Sequence, residues 1–133
     1  MDNVEPARAQ RRATGAAGEL AACRFLESRG LHLLDAGWRC RLGELDLVML
    51  DGDVLVFVEV RARQPGALVD PMESIDAHKR RRTVRAASAW LSRHPGYAAL
   101  PARFDVVGCD TGATTQHVPR WIRNAFDAQG HPT

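Results

Sequence analysis

Four charged residues occupy alternate positions on two neighbouring predicted strands of this 133-residue chain. Glu44 and Asp46 belong to the first strand, and Glu59 and Arg61 belong to the second. Between the strands, the sequence Asp51-Gly52-Asp53 is typical of a tight β-hairpin turn. Because successive side chains of a strand point to opposite faces, the pairing places all four charged side chains on one face. Carboxylate oxygens are the preferred ligands of hard divalent cations, so the pattern indicates a metal site.

Two registers of this hairpin are open. With Asp51-Gly52 as the turn, Glu44 lies opposite Glu59. With Gly52-Asp53 as the turn, Asp46 faces Glu59 directly. Cβ atoms of opposed residues lie about 5 Å apart and those of diagonal residues about 7–8 Å apart. Either register therefore lets two carboxylates reach one cation.

Acids gathered on one strand face repel each other unless something compensates their charge. Arg61 offsets part of the repulsion, and a divalent cation would offset more. The alternative is an exposed face on which Arg61 pairs with Glu59 while Glu44 meets water. We favour the cation site because the other end of the same face is apolar, with Val48, Leu50, Leu55 and Phe57.

Glu19 is a further candidate acid, because its helical neighbours are apolar. They are Ala22, Cys23 and Leu26, three, four and seven residues further along. A carboxylate on an apolar face is costly unless a partner satisfies it. The alternative is a partly exposed acid beside a seam of small residues.

Basic residues cluster on the second predicted helix and form a candidate nucleic-acid contact. They are Lys79, Arg80, Arg81, Arg82 and Arg85. Such a cluster suits phosphate contacts whose attraction weakens with salt, although a solvated helix face has the same composition.

The predicted elements follow the order α-β-β-β-α-β-β, which indicates a mixed α/β sandwich. They are a helix from about Thr14 to Ser28, strands over 31–40, 43–50 and 54–62, a second helix beginning at Asp70-Pro71 or at Asp76, a strand over 104–109, and a weaker strand over 117–122 that Pro119 interrupts. We expect residues 1–13 to form a flexible arm, 14–126 a single domain and 127–133 a flexible tail.

The composition is that of an ordinary globular protein, with 45% hydrophobic and 26% charged residues. No apolar stretch is long enough to span a membrane, and the acidic start is unlike a signal peptide. The three cysteines form no C-x-x-C pair, which argues against a zinc site or a disulfide framework and favours the cytoplasm.

Several segments together resemble the YraN-like family of small bacterial proteins, whose fold is related to that of archaeal Holliday-junction resolvases. The pattern Gly43-Glu44-Leu45-Asp46 followed by Val58-Glu59-Val60-Arg61 is similar to the D-(x)n-E-x-K core of restriction-endonuclease-like nucleases. The resemblance extends over residues 14–126 and includes Gly18-Glu19, Lys79 with Ala86-Ala87 and Trp90-Leu91, Phe104-Asp105-Val106-Val107, and Asn124-Ala125-Phe126.

This resemblance implies a restriction-endonuclease-like three-layer α/β sandwich, in which helices flank a mixed central sheet. It also implies that Mg²⁺ or Mn²⁺ is held by Asp46, Glu59 and the Val60 carbonyl, with Glu19 as a further acid near the metal. The implied substrate is a phosphodiester, namely branched or flexible DNA, and the implied assembly allows a homodimer.

One departure from the family pattern concerns Arg61, which stands where a lysine is expected. Arginine keeps the positive charge, but its pKa is too high for it to act as a base. Lys79 is a candidate substitute from the second helix, although we expect it to contact phosphate.

The sequence therefore supports three functions. The first is a nucleic-acid-binding protein with Mg²⁺-dependent endonuclease activity, and the second is an inactive nucleic-acid-binding module of the same fold. The third is an interaction protein whose basic helix contacts an acidic protein.

Overall fold

A five-stranded mixed sheet lies between two helices in the computed structural model. The structure describes the backbone of residues 4–63, 70–110 and 119–133. It describes the side chains of residues 16–61, 70–109 and 119–133. The main elements are α1 (Val4–Ser28), β1 (His32–Cys40), β2 (Gly43–Asp51), β3 (Val54–Arg63), α2 (Ala77–Arg93), β4 (Ala102–Asp110) and β5 (Arg120–Phe126). The strands lie in the order β1-β2-β3-β4-β5. The β3–β4 pair is parallel and the other pairs are antiparallel. This is the three-layer sandwich of restriction-endonuclease-like type that the sequence predicts.

Each face of the sheet has its own apolar cluster, because strand side chains alternate between the two faces. Val48, Leu55 and Phe57 pack towards α2 and its fully buried Trp90. Leu47, Met49, Val56 and Val58 pack towards α1, against Ala22, Cys23 and Leu26. Among the described residues, no helix is long and apolar enough to cross a membrane.

The start of α1 differs from the prediction: the helix begins at Val4 rather than at about Thr14. Residues 7–13 are alanine, arginine and glutamine, which favour helix, so the helix continues without an apolar stripe. Pro6 is tolerated because it lies in the first turn. The side chains of residues 1–15 lie outside the described part, and the flexibility of this arm stays a prediction.

The hairpin uses the second of the two predicted registers. Asp51 pairs with Val54 and Leu47 pairs with Val58, so the turn is Gly52-Asp53. Of the two candidate starts of the second helix, the structure uses Asp76, and Asp70-Pro71 starts a separate short helix. Asp70 caps a short 3₁₀ helix (Pro71–Ser74), and Asp76 caps α2 by accepting a hydrogen bond from the Lys79 amide at 2.8 Å.

The last strand lies further along the chain than predicted. It spans Arg120–Phe126 rather than 117–122, of which His117 and Val118 lie outside the described residues. Proline cannot donate to a ladder, so β5 begins after Pro119. The buried Asp105 carboxylate then accepts the Asn124 amide at 2.9 Å, and the strand continues past an irregularity to Phe126.

Residues 127–133, expected to be a flexible tail, form a turn against α2. Asp127 accepts hydrogen bonds from the amides of Gln129 and His131, both at 2.9 Å. The Arg80 guanidinium donates to the Gly130 carbonyl at 2.7 Å. One basic side chain of the second helix, that of Arg80, is therefore hydrogen-bonded to this tail.

Gly43 sets the close approach of β2 to α2. A Cβ atom at this position would lie 2.9 Å from the Arg82 carbonyl oxygen, which is a backbone atom of a packed helix. Only glycine therefore allows α2 to lie so close to the start of β2.

We expect Gly43→Ala to destabilise the fold by about 1–3 kcal/mol, because overpacking must displace backbone. Gly96→Ala is the matched control, since no neighbouring heavy atom lies within 4 Å of its Cβ position. Urea denaturation of both variants measures the effect. Equal stability of the two variants would show that α2 can move freely at this point.

Candidate functional site

The candidate site lies where β2 and β3 separate. Their ladder ends at the pair Leu47–Val58, although β2 continues back to Gly43 and β3 continues on to Arg63. Beyond that pair, Asp46 Oδ2 accepts a hydrogen bond from the Val60 amide at 2.8 Å. A carboxylate thus satisfies a backbone donor that the widening gap leaves without a strand partner.

The side-chain alternation of β2 changes at the same point. Leu45 packs in the cluster beneath α2, whereas Leu47 packs in the cluster beneath α1. Regular alternation would put both leucines on one face. Asp46 between them lies in the gap, where its carboxyl interacts with Glu19 of α1 and with Glu59 of β3.

The structure therefore brings together Glu19, Asp46 and Glu59. These three acids are candidates from the sequence, and they lie on three different elements. Glu59 is the most enclosed, with only 2% of its surface exposed. Its Oε2 atom is buried and has no hydrogen-bond partner among the described residues. Such an oxygen carries a desolvation cost that a ligand or a proton would relieve.

Burial raises the pKa values of all three acids, and the charge of Asp46 adds to the rise at Glu19 and Glu59. Burial, followed by the charge of Asp46, raises the pKa of Glu59 from 4.5 to about 8. The same two causes, in the same order, raise the pKa of Glu19 from 4.5 to about 7. Burial also raises the pKa of Asp46, against the opposing effect of the Val60 hydrogen bond. The ionised forms of these acids are therefore less stable here than in water, and a bound cation or proton would relieve that cost.

Two basic side chains contact the buried acid. Lys79 Nζ lies 3.5 Å from Glu59 Oε1, and Arg61 Nη1 lies 3.4 Å from the same oxygen. The Arg61 guanidinium is also held by Ser74, to which it donates at 2.9 Å (Oγ) and 3.0 Å (carbonyl). Arg61 therefore contacts Glu59 while also being held by the 3₁₀ helix, whereas Lys79 contacts both Glu59 and Glu44.

The predicted basic cluster divides into three parts. Lys79 belongs to the acidic site. Arg80 donates to the carbonyls of Ile75 and Gly130, both at 2.7 Å, so its own chain holds it. The remaining residues, Arg81, Arg82 and Arg85, are exposed, and Arg82 lies beside Gly43 of β2.

The donor set fits a divalent cation in part. Over the described ranges, no group of three or more His, Cys, Asp or Glu side chains is arranged to hold a metal ion. Two carboxylates, Asp46 and Glu59, lie together, and the unpartnered Glu59 Oε2 is an available ligand. Hard cations accept such oxygens with carbonyls, water or substrate completing the shell. The residues present therefore fit a cation held by two carboxylates.

The sequence offers Lys79 as a candidate substitute for the lysine expected at position 61, but it does not predict the contact of Lys79 with Glu59 or the contacts of Ser74 and Arg39. One signal for Lys79 was present, because the chain has eighteen basic residues and only one of them is lysine. Arg39 Nε lies 3.3 Å from Glu44 Oε2 at the edge of the site. The two residues are cross-strand partners in the β1–β2 hairpin, whose register was not predicted.

The raised pKa values predict how stability depends on pH in the absence of divalent cations. The folded state binds more protons than the unfolded state between pH 4.5 and about pH 8, so the free energy of unfolding should fall as the pH rises through this window. One pKa unit corresponds to about 1.4 kcal/mol, so a fall of about 1 kcal/mol or more is expected. Chemical denaturation in a chelator at several pH values measures it.

In this experiment Glu59→Gln should flatten the pH profile, because the amide does not titrate. The exposed Glu73→Gln is the control and should keep the wild-type slope. A Glu59→Gln profile as steep as that of the wild type would assign the pH dependence to other groups.

Comparison with known proteins places the chain in a family. The profile of "Uncharacterised protein family UPF0102" matches residues 18–109. A UPF0102 protein of Ectopseudomonas mendocina (strain ymp) is 53% identical over 114 residues, covering 86% of this chain and 94% of that relative. Another from Pseudomonas putida (strain GB-1) is 44% identical over 127 residues, covering 96% and 99%. The chain therefore belongs to the uncharacterised protein family UPF0102, which is the YraN-like family that its sequence resembles.

Proposed function

We propose that this chain binds nucleic acid and that its acidic site is the centre of a Mg²⁺- or Mn²⁺-dependent endonuclease. The observation that carries the proposal is Glu59, a buried carboxylate with an unpartnered oxygen beside Asp46. Acids with pKa values raised by burial and by like charges are characteristic of functional sites. The preference for branched or flexible DNA rests on the family resemblance alone.

In this proposal Asp46, Glu59 and the Val60 carbonyl hold the cation. When bound, such a cation polarises a phosphate and lowers the pKa of its bound water. The Val60 amide orients Asp46, and the burial of Glu59 keeps its carboxylate from being solvated. Glu19 adds a third carboxyl on the α1 side of the gap, next to Asp46.

Lys79 takes the part of the lysine that the family pattern expects at position 61. Its ammonium lies beside Glu59, and 29% of its side chain is exposed, so it can contact a phosphate at the rim of the site. A compact positive charge next to a phosphoryl oxygen stabilises the charge that develops during hydrolysis. Arg61, held by Ser74, instead fixes the position of Glu59.

A second candidate is a nucleic-acid-binding module of the same fold without turnover. Arg61 favours it, because arginine replaces the expected lysine and its guanidinium is already engaged by Ser74. Both candidate functions predict nucleic-acid binding, and only the first predicts cleavage of the nucleic acid.

For cleavage, we expect Asp46→Asn and Lys79→Met each to lower the Mn²⁺-dependent rate by about 10²–10³-fold, the usual effect of losing one charge-stabilising group. Purified variants would be compared on a panel of linear, single-stranded and branched DNAs.

Calorimetric titration with Mn²⁺ separates the two roles in this experiment. Asp46→Asn should lose metal binding, whereas Lys79→Met should keep it, since its side chain is no ligand. Metal binding by the wild type without cleavage of any substrate would support the inactive module. Absence of metal binding would contradict the proposed site.

For binding, we expect replacement of Arg81, Arg82 and Arg85 with alanine to weaken DNA binding irrespective of sequence. Each lost phosphate contact should reduce the slope of log K against log salt by about 0.9 for duplex DNA. Fluorescence anisotropy over a salt series measures both quantities.

The matched control replaces three arginines that lie outside α2, Arg24, Arg29 and Arg123, and changes the net charge equally. This control should keep a slope close to that of the wild type. Equal slopes for the two triple variants would show that α2 forms no specific phosphate contact.

A further inference from the structure

A cleft of about 210 Å³ opens beside the acidic site, between α2 and the ends of β1 and β2. Three basic side chains line it: Arg39 from β1, and Lys79 and Arg82 from α2. Gly43 forms its floor, where the absence of a Cβ lets the strand lie against the Arg82 carbonyl. Cations from two separate elements therefore converge on one small volume.

One anion lies within this cleft, the carboxylate of Glu44. Its Oε2 lies 3.3 Å from Arg39 Nε, and its Oε1 lies 3.9 Å from Lys79 Nζ. Each carboxylate oxygen thus faces a cation from a different element, so the group bridges the cleft. Its side chain is 43% exposed, and ion pairs at such exposure are weak.

Lys79 joins this cleft to the acidic site. Its ammonium lies within 4 Å of Glu44 on one side and of Glu59 on the other. An anion that replaced the Glu44 carboxylate would therefore lie directly beside Glu59 and Asp46. Its negative oxygens would meet the same two cations, and arginine binds phosphate as well as carboxylate.

We propose that this cleft is a phosphate-binding subsite and that Glu44 occupies it until a phosphate group displaces the carboxylate. Glu44 is then a built-in competitor, which keeps Arg39 and Lys79 paired in the free protein and rejects anions too weak to displace it. Where the phosphate belongs to a nucleic-acid backbone, the inference rests on the proposed function. The binding of inorganic phosphate is independent of it.

The test compares wild type with Glu44→Gln, which keeps the size of the side chain and removes its charge. Two probes are titrated in a chelator at fixed pH: inorganic phosphate, followed by amide chemical shifts in ¹⁵N NMR, and a branched DNA, followed by anisotropy. We expect Glu44→Gln to bind both probes about three- to tenfold more tightly, with the phosphate shifts centred on Gly43, Lys79 and Arg82.

Glu27→Gln is the matched control, because it removes one exposed carboxylate from α1. It should change both affinities less than twofold. Glu44→Asp serves as a second variant, since it keeps the charge but is too short to bridge both cations, and it should also tighten binding. If Glu44→Gln does not fold, the affinities of Glu44→Asp for the same two probes test the proposal.

The outcomes separate this inference from the proposed function. Tighter phosphate binding without any DNA binding would support the subsite and contradict the nucleic-acid function. If the wild type binds DNA but Glu44→Gln and Glu44→Asp raise the affinity no more than Glu27→Gln does, the inference is overturned. The proposed nucleic-acid function would still stand. Weaker binding by both Glu44 variants would also overturn the inference, because Glu44 would then assist the ligand rather than compete with it.

Discussion

The hydrogen bond from the Val60 amide to the Asp46 carboxylate determines the geometry of the whole acidic site. A sheet in which β2 and β3 stayed paired to their ends would place Asp46 on one face with its carboxyl directed towards α2 alone. Because the strands separate after Leu47 and Val58, the carboxylate instead occupies the gap. From there it reaches an acid on α1 and an acid on β3, which lie on opposite sides of the sheet.

That arrangement has an energetic consequence. Asp46 interacts with the buried Glu59 and the partly buried Glu19, and the two basic groups in contact with Glu59 do not restore ordinary pKa values. A purely structural use of these positions would favour apolar residues of similar size, since buried charges are expensive unless they are fully paired. Residues that cost stability in this way are expected where a protein binds ligands or carries out chemistry.

Helix α2 links this site to the core. Its inner side carries Trp90, which is almost fully buried and donates its Nε1–H to Asp35 of β1 at 3.0 Å. About four turns nearer the start of the helix, Asp76 caps it and places Lys79 in the first turn, beside Glu59. The core contacts therefore fix the position of α2 over the sheet and its rotation about its own axis. The cap fixes where the helix begins, and thereby which residue faces the acids. The only lysine of the chain lies at this position.

Local signals in the chain are sufficient for the order of the elements, the hairpin between β2 and β3, and the three acids that meet. These signals are the alternation in the strands, a turn containing glycine, the helix caps, and a carboxylate on an apolar helical face. The same signals left the hairpin register open, placed the start of α1 and the span of β5 wrongly, and did not indicate the contacts of Lys79, Arg80 and Glu44. The contacts of Lys79 and Arg80 emerge only when helices and sheet pack together. Three features depend on groups that lie far apart in the chain, which no local pattern can bring together. They are the separation of β2 from β3, the close approach at Gly43, and the packing of residues 127–133 against α2.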